Sequence, residues 1–93
     1  MKSIQGLDHP PRIPRQDVVL TWAGDEALLV DERAGQVNVI NRPAAKVWEL
    51  LGGGRTDSDI ADEIASWYGI DRSLAQTDVE AILANFARLD LFE

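Results

Sequence analysis

The chain has 93 residues, no cysteine and a net charge of −7, and 45% of its residues are hydrophobic. This length and composition indicate one folded domain and exclude disulfide bonds and thiolate metal sites. The acidic balance disfavours nucleic-acid binding, since phosphate recognition depends on clustered Lys and Arg, and no window of about 18 apolar residues could cross a membrane. The N-terminus does not resemble a signal peptide, so a soluble cytoplasmic protein is expected.

Residues 1–16 contain three of the four prolines, Pro10, Pro11 and Pro14. Because proline lacks a backbone N–H and restricts the residue before it, this stretch is predicted to form an extended or mobile arm. A proline-rich ligand motif is the alternative interpretation. The folded domain is expected to span residues 17–93.

Three strand-like runs follow the arm, at residues 18–22, 27–30 and 36–40. They are rich in β-branched, aliphatic and aromatic side chains, and turn-forming residues that include Gly24 and Gly35 separate them. Connections this short between strands predict an antiparallel meander.

In a meander that follows chain order, the third strand lies at an edge of the sheet and offers unpaired backbone donors and acceptors. The alternation of a strand places Val37 and Val39 on one face and Asn38 and Ile40 on the other. The sequence does not distinguish which of these faces is buried.

The first helix is predicted to begin after Asn41 and to end at the glycines of residues 52–54. The Asn41 side chain can accept a hydrogen bond from a free amide of the first turn, and Pro43 suits that turn because it has no amide hydrogen. The apolar residues recur at helical spacing: Ala44, Val47, Trp48 and Leu51.

A second helix is predicted from the Thr56-x-x-Asp59 capping box to Gly69, which suits the left-handed end of a helix. Its expected buried face consists of Ile60, Ile64 and Trp67 (or Tyr68). The tryptophans are expected to pack in the core or at its edge: Trp22, Trp48 and Trp67.

A third helix is predicted from Asp71, as its N-cap, to about Asp90. Its expected buried stripe is Ala75, Val79, Ile82, Phe86 and Leu89. Further apolar residues lie beside this stripe or elsewhere on the helix: Leu74, Ala81, Leu83, Ala84 and Ala87. The order βββααα predicts an α+β domain, in which a three-stranded antiparallel meander is followed by a three-helix bundle of winged-helix-like form.

The sequence contains no convincing set of catalytic or metal-binding side chains. The lone histidine, His9, has no positioned partner, and the absence of cysteine excludes a Cys–His pair. The glycines at 52–54 lie between two helices, which disfavours a phosphate loop. The acidic residues within 57–63 match the dipole of a helix N-terminus better than a calcium loop. We therefore expect no catalytic residue, no metal and no cofactor.

An edge strand beside a helix with more apolar surface than one stripe requires predicts a groove for an extended peptide. Backbone hydrogen bonds would hold such a peptide, and pockets in the groove would select its side chains. The alternative is that the third helix packs against both other helices and leaves no groove.

An ordered set of short motifs runs through the same region. It consists of Leu29-Val30-Asp31, Gly35, Val39-Ile40-Asn41-x-Pro43-x-Ala45, Val47-Trp48-Glu49-Leu50-Leu51, Arg55-Thr56, Ile60-Ala61, Ile64-Ala65, Tyr68-Gly69-Ile70 and Asp78-Val79 through Leu83. With this set, the sequence from Ala27 to about Phe92 resembles the PqqD family, the peptide-binding domains also called RiPP recognition elements. It differs from the family pattern at Leu89-Asp90-Leu91, where a Gly-Leu ending is usual.

The resemblance implies a non-catalytic domain that binds the leader of a ribosomally synthesised precursor peptide in natural-product biosynthesis. Such a domain presents the peptide to a modifying enzyme, in many cases a radical SAM enzyme. The leader would add as a strand beside the third strand and pack against the third helix. The expected peptide-binding residues are Gln36, Val37, Asn38, Val39, Ile40, Leu83 and Ala87, with Val37, Val39, Leu83 and Ala87 as pocket walls.

Two other functions fit a small sheet followed by three helices. A winged-helix DNA-binding regulator would need a basic recognition face, but the third helix sets Asp78, Glu80 and Asp90 against Arg72 and Arg88. A homodimerisation module would use the same exposed strand edge.

Overall fold

The computed structural model describes residues 12–93, so His9, Pro10 and Pro11 of the predicted arm lie outside the described residues. The strands are β1 (Val18–Ala23), β2 (Glu26–Asp31) and β3 (Gln36–Ile40). The helices are α1 (Arg42–Gly52), α2 (Asp57–Tyr68) and α3 (Arg72–Arg88). The predicted α+β architecture and its element order are confirmed.

The strands form one antiparallel sheet in the order β1-β2-β3. Leu29 of β2 lies between Leu20 and Asn38 and is fully buried, so this face of the sheet turns towards the helices. Val37 and Val39 lie on the opposite face and are 59% and 63% exposed. The prediction that β3 is an edge strand is confirmed, and its two valines point away from the core.

The helices cover the inner face of the sheet with one apolar core. Its largest fully buried side chains come from β2, the three helices and the C-terminal segment: Leu29, Val47, Leu51, Ile60, Val79, Leu83, Phe86 and Leu91. Trp48 meets Phe86 edge-to-face, with ring centroids 5.4 Å apart. Such a pair adds about 0.5–1.5 kcal/mol beyond burial, and this one joins α1 to α3.

The predicted boundaries of α1 and α2 are confirmed by their capping contacts. Asn41 Oδ1 accepts a hydrogen bond from the backbone N–H of Ala44 at 2.9 Å. Thr56 and Asp59 form the reciprocal hydrogen bonds of a capping box. Gly69 ends α2 in the left-handed conformation, with φ of 63°, which a residue without a Cβ adopts at little cost.

Helix α3 begins after Asp71, as predicted, and ends two residues before the predicted end at about Asp90. Asp71 precedes the helix, but its carboxylate accepts from the Ser73 hydroxyl and from no amide of the first turn. At the other end, Asp90 has a φ of 60°, in the left-handed region that glycine favours and aspartate tolerates. The helix therefore ends at Arg88, before this change of backbone direction.

The buried stripe of α3 matches the prediction at Ala75, Val79 and Phe86 but contains Leu83 in place of Ile82. Leu83 is buried, whereas Ile82 is only half-buried. Ile82 lies three residues after Val79 and four before Phe86, and Leu83 lies four after Val79 and three before Phe86, so both continue the helical period. Tertiary packing decides between them, and it places Leu83 in the core.

Residues 12–16, which the sequence assigns to an extended or mobile arm, lie against the C-terminal segment. The backbone N–H of Arg15 donates to the Leu91 carbonyl at 2.9 Å, and Pro14 forms an isolated antiparallel bridge with Phe92. Backbone pairing with the C-terminus therefore holds this part of the predicted arm.

A buried ion pair joins the same segment to the end of β2. The Arg15 guanidinium donates to both carboxylate oxygens of Asp31, at 2.8 and 3.0 Å, and to the Asp90 carbonyl at 2.7 Å. The side chains of Arg15 and Asp31 are only 6% and 3% exposed. Hydrogen bonds from Arg15 and from the backbone of Ala34 lower the pKa of Asp31. Ionised Asp31 thus stabilises the fold above pH of about 4, and this contribution is lost as the pH falls through the lowered pKa.

Two of the three tryptophans lie at the surface, contrary to the prediction. Trp48 is 7% exposed, but Trp22 and Trp67 are 47% and 58% exposed. Trp67 and Tyr68 fall in the last turn of α2, beyond its last buried residue, Ile64. The predicted buried face of α2 is therefore correct at its start and wrong at its end.

Candidate functional site

The edge of β3 that faces away from β2 has no strand partner among residues 12–93. It is formed by the five residues Gln36–Ile40. In an antiparallel pair, every second residue turns its N–H and C=O away from the neighbouring strand. The edge of β3 therefore offers alternating backbone donors and acceptors to a further strand.

An open cleft of about 280 Å³ lies beside this edge, between the end of β3 and α3. Most of its lining side chains are apolar, and two asparagines add amide groups. This β3–α3 cleft is lined by Val39, Ile40, Asn41, Ala44, Ala81, Ile82, Asn85 and Phe86. A cavity large enough for a side chain is thus present where the sequence predicts a peptide groove.

The corner between β3 and α1 positions one wall of the cleft. Asn41 caps α1 and Pro43 occupies its first turn, so the strand passes into the helix without a loop. The first turn of α1 consequently lies against the end of β3. Its neighbouring residues face different sides: Ala44 lines the β3–α3 cleft, and Ala45 lines a separate cleft.

The five predicted strand residues divide between the two faces of the sheet. Ile40, on the inner face, and Val39, on the outer face, both border the β3–α3 cleft. Gln36 and Asn38 pair with the buried residues Asp31 and Leu29, on the inner face. Val37 lies on the exposed outer face, opposite Val30. Sequence reasoning placed all five on the edge strand but could not say which of them meet the helices.

The two predicted helix residues do not line the cleft. Leu83 is 2% exposed and belongs to the core, so it is not accessible to a peptide. Ala87 is exposed, but it is five residues from Ile82 and therefore lies about 140° away around the helix. The helix wall of the cleft instead consists of Ala81, Ile82, Asn85 and Phe86.

Sequence reasoning missed Asn85 as a candidate and assigned Ile82 to the core. A usable signal was present, because residues 78, 82, 85 and 89 form a stripe with helical spacing beside the buried one. Only the position of strand β3 shows that Ile82 and Asn85 of that stripe line a cleft.

The arginines of α3 are engaged with neighbouring side chains of the described residues. Arg72 donates to Asp62 and Gln76, and Arg88 donates to the side chain of Asn85. DNA recognition by this helix would need a cluster of available basic groups. The charge distribution on α3 therefore argues against the DNA-binding alternative.

Two kinds of feature are absent from residues 12–93. No three His, Asp or Glu side chains come together in a way that could hold a metal ion. No helix in this part of the chain has the length and apolar character needed to cross a membrane.

Comparison with models of known protein families assigns this sequence to one family. The model of the family described as coenzyme PQQ synthesis protein D (PqqD) matches residues 26–91. The chain belongs to the PqqD family. The matched region begins at β2, so it contains Asp31 but leaves β1 and Arg15 outside.

Solved structures of similar chains share the architecture. TbiB1, in complex with the TbiA(beta) leader peptide, is 26% identical with a TM-score of 0.77, over 87% of this chain and 94% of that chain. A lasso peptide synthetase B1 complexed with its leader peptide is 22% identical with a TM-score of 0.75, over 88% and 95% of the two chains.

A third similar structure is the solution NMR structure of the PqqD part of Methylobacterium extorquens PqqCD, a stand-alone RiPP recognition element. It is 22% identical with a TM-score of 0.75, over 98% of this chain and 95% of that chain. The two matches at 22% identity establish the fold alone. No curated protein sequence matches the chain significantly.

Proposed function

We propose that this protein binds the leader of a ribosomally synthesised precursor peptide and holds it for a separate modifying enzyme. The observation that carries the proposal is a strand edge that has no partner among residues 12–93, with an apolar cleft beside it. The similar protein TbiB1 was solved with a leader peptide, which supports the same ligand class here. The domain itself would supply no catalytic group, and a radical SAM enzyme is one class of partner that the family resemblance implies.

The backbone of β3 would hold the leader as a fourth strand of the sheet. Strand addition satisfies backbone donors and acceptors along the edge and requires no particular leader sequence. The five residues of β3 limit the pairing to a short segment. Sequence preference must therefore come from side-chain contacts.

The side chains of an added strand would meet two different surfaces, because they alternate between the faces of the sheet. On the inner face they would enter the cleft beside Ile82 and Asn85. On the outer face they would lie beside Val37 and Val39, which end two rows of side chains aligned across the three strands. We therefore propose a leader segment with apolar residues on both faces of its bound strand.

Approximate energies indicate how much each contact matters. About four backbone hydrogen bonds at roughly 1 kcal/mol each and two buried apolar anchors at roughly 2 kcal/mol each provide about 8 kcal/mol. Ordering a disordered leader costs about 2–5 kcal/mol. The remainder corresponds to a Kd between millimolar and tens of micromolar, so tighter binding requires additional anchors such as the outer-face contacts.

The proposal predicts saturable 1:1 binding of the leader peptide encoded beside the gene of this protein. Fluorescence anisotropy of the labelled leader, titrated with the purified protein, measures this binding. A scrambled leader of the same composition is the matched control and should bind at least about tenfold more weakly, because its apolar residues lose their alternation. Equal affinity for both peptides, or no saturation with either, would contradict the proposal.

A further inference from the structure

A second apolar surface lies at the opposite edge of the sheet, around β1 and the end of α2. Trp22 and Trp67 are 47% and 58% exposed, and Tyr68, whose ring centroid is 5.0 Å from that of Trp67, is 41% exposed. The two tryptophans border a cleft of about 200 Å³ that α1 also lines. We call the residues Trp22, Lys46, Trp67 and Tyr68 the aromatic surface.

The exposed rings of this surface lie outside the hydrophobic core. The buried core cluster contains Trp48 and Phe86, with Phe92 packed against it, but none of the three exposed aromatic residues. Tryptophan and tyrosine are enriched among the few residues that supply most of the binding energy in protein interfaces. They combine a large apolar area with a polar group that tolerates water.

The charge beside these rings indicates what a partner would carry. Lys46 Nζ lies 4.7 Å from the centroid of the Trp67 ring. Six arginines among residues 12–93 form ion pairs, whereas Lys46 forms none in that range. Arg42 in the same cleft is paired with Asp25 at 3.5 Å. Glu49 also lines the cleft but does not pair with Lys46. A carboxylate of a partner protein can therefore form an ion pair with the Lys46 ammonium.

The aromatic surface and the β3–α3 cleft share one row of the sheet. Trp22, Ala27 and Ile40 are aligned across β1, β2 and β3. Trp22 borders the aromatic surface and Ile40 lines the β3–α3 cleft. Two strand spacings, about 10 Å, separate the two ends of the row. Ala44 and Ala45 of α1 face the two clefts, so both can be occupied at once.

We infer that the aromatic surface docks the enzyme that modifies the peptide held in the β3–α3 cleft. The segment of the enzyme that binds here carries a carboxylate next to a large apolar side chain, which contact Lys46 and the two exposed indoles. This inference rests on the proposed function. A second copy of the chain is a poorer occupant, because each copy has a net charge of −7 and the copies repel each other.

The test measures binding of the purified modifying enzyme encoded beside the gene, by biolayer interferometry on the immobilised protein, with and without saturating leader. We expect Trp67→Ala to weaken enzyme binding about 30-fold, as for an interface anchor, and Lys46→Glu at least about tenfold. Arg55→Glu changes the net charge equally at an exposed site away from both clefts, and it should change the affinity less than twofold. Leader affinity should stay within twofold for all three variants.

Each other outcome overturns the inference. If the enzyme does not bind the wild-type protein, or binds both surface variants with unchanged affinity, the inferred docking site is wrong. A loss of leader affinity in folded Trp67→Ala would assign the surface to the peptide site. Sedimentation that shows a dimer abolished by Trp67→Ala would identify a second copy as the occupant. Thermal unfolding confirms that each variant is folded, and Lys46→Glu serves as the second probe if Trp67→Ala is not.

The same design separates this inference from the proposed function. Enzyme binding is also measured on the leader-free protein. The docking site is therefore tested even if the leader does not bind. Failure of the leader to bind contradicts the proposed function, whereas failure of the surface variants to affect the enzyme contradicts only the docking site.

Discussion

Replacement of Ile82 by Glu is expected to weaken leader binding about 100-fold or more. Ile82 is the half-buried apolar side chain of α3 that lines the β3–α3 cleft. Loss of one apolar anchor removes about 1.5–3 kcal/mol, and an unpaired carboxylate facing an apolar leader side chain adds a desolvation cost. A total near 2.7 kcal/mol corresponds to the stated factor. Anisotropy of the labelled leader measures it.

Ala87→Glu is the matched control, because it adds the same charge to the same helix on an exposed face outside the cleft. We expect this variant to bind the leader within about twofold of the wild type. The pair distinguishes the observed helix orientation from the one that the sequence predicts. Equal losses in both variants would indicate a general charge effect, and a larger loss in Ala87→Glu would place the leader on a different face of α3.

Replacement of Asp31 by Ala is expected to lower the melting temperature by roughly 10 °C or more, since removal of one partner of a buried ion pair leaves the other charge without compensation. Arg15 would remain 6% exposed in the wild-type geometry, with its principal partner removed. The backbone N–H of Ala34 in the β2–β3 turn would also lose its acceptor. Thermal unfolding followed by circular dichroism measures the change.

Asp17→Ala is the control for this variant. Asp17 also pairs with Arg15, at 3.0 Å, but its side chain is 39% exposed, so the loss should be only a few degrees, as for surface pairs. If the two variants melt at the same temperature, the buried Arg15–Asp31 pair stabilises the fold no more than the exposed Arg15–Asp17 pair does.

Local sequence signals predicted the elements of this fold well, because each helix start and strand break has its own chemical cause. Asn41, the Thr56–Asp59 box and Gly69 act within a few residues of themselves, and their predicted roles are observed. The edge position of β3 followed from the short turns alone. No long-range information was needed for these features.

The side chains of the candidate site were harder to predict, because they depend on how elements pack together. Ile82 and Leu83 satisfy the same periodicity, and only the tertiary arrangement separates them. Arg15 was assigned to an arm because of the nearby prolines, and its ion-pair partner, Asp31, is too distant in sequence to be inferred from a local pattern. The exposure of Trp22 and Trp67 likewise differs from the expectation that they pack in the core or at its edge.

The most direct measurement of leader addition is amide hydrogen exchange in the free protein and in the leader complex. We predict that alternate amides within Gln36–Ile40 exchange at least about tenfold more slowly when the leader is bound, because they gain hydrogen-bond partners. The amides of Val18–Ala23, at the other edge of the same sheet, should not change. Protection of β1 with no change in β3, while the leader is bound, would contradict strand addition at β3.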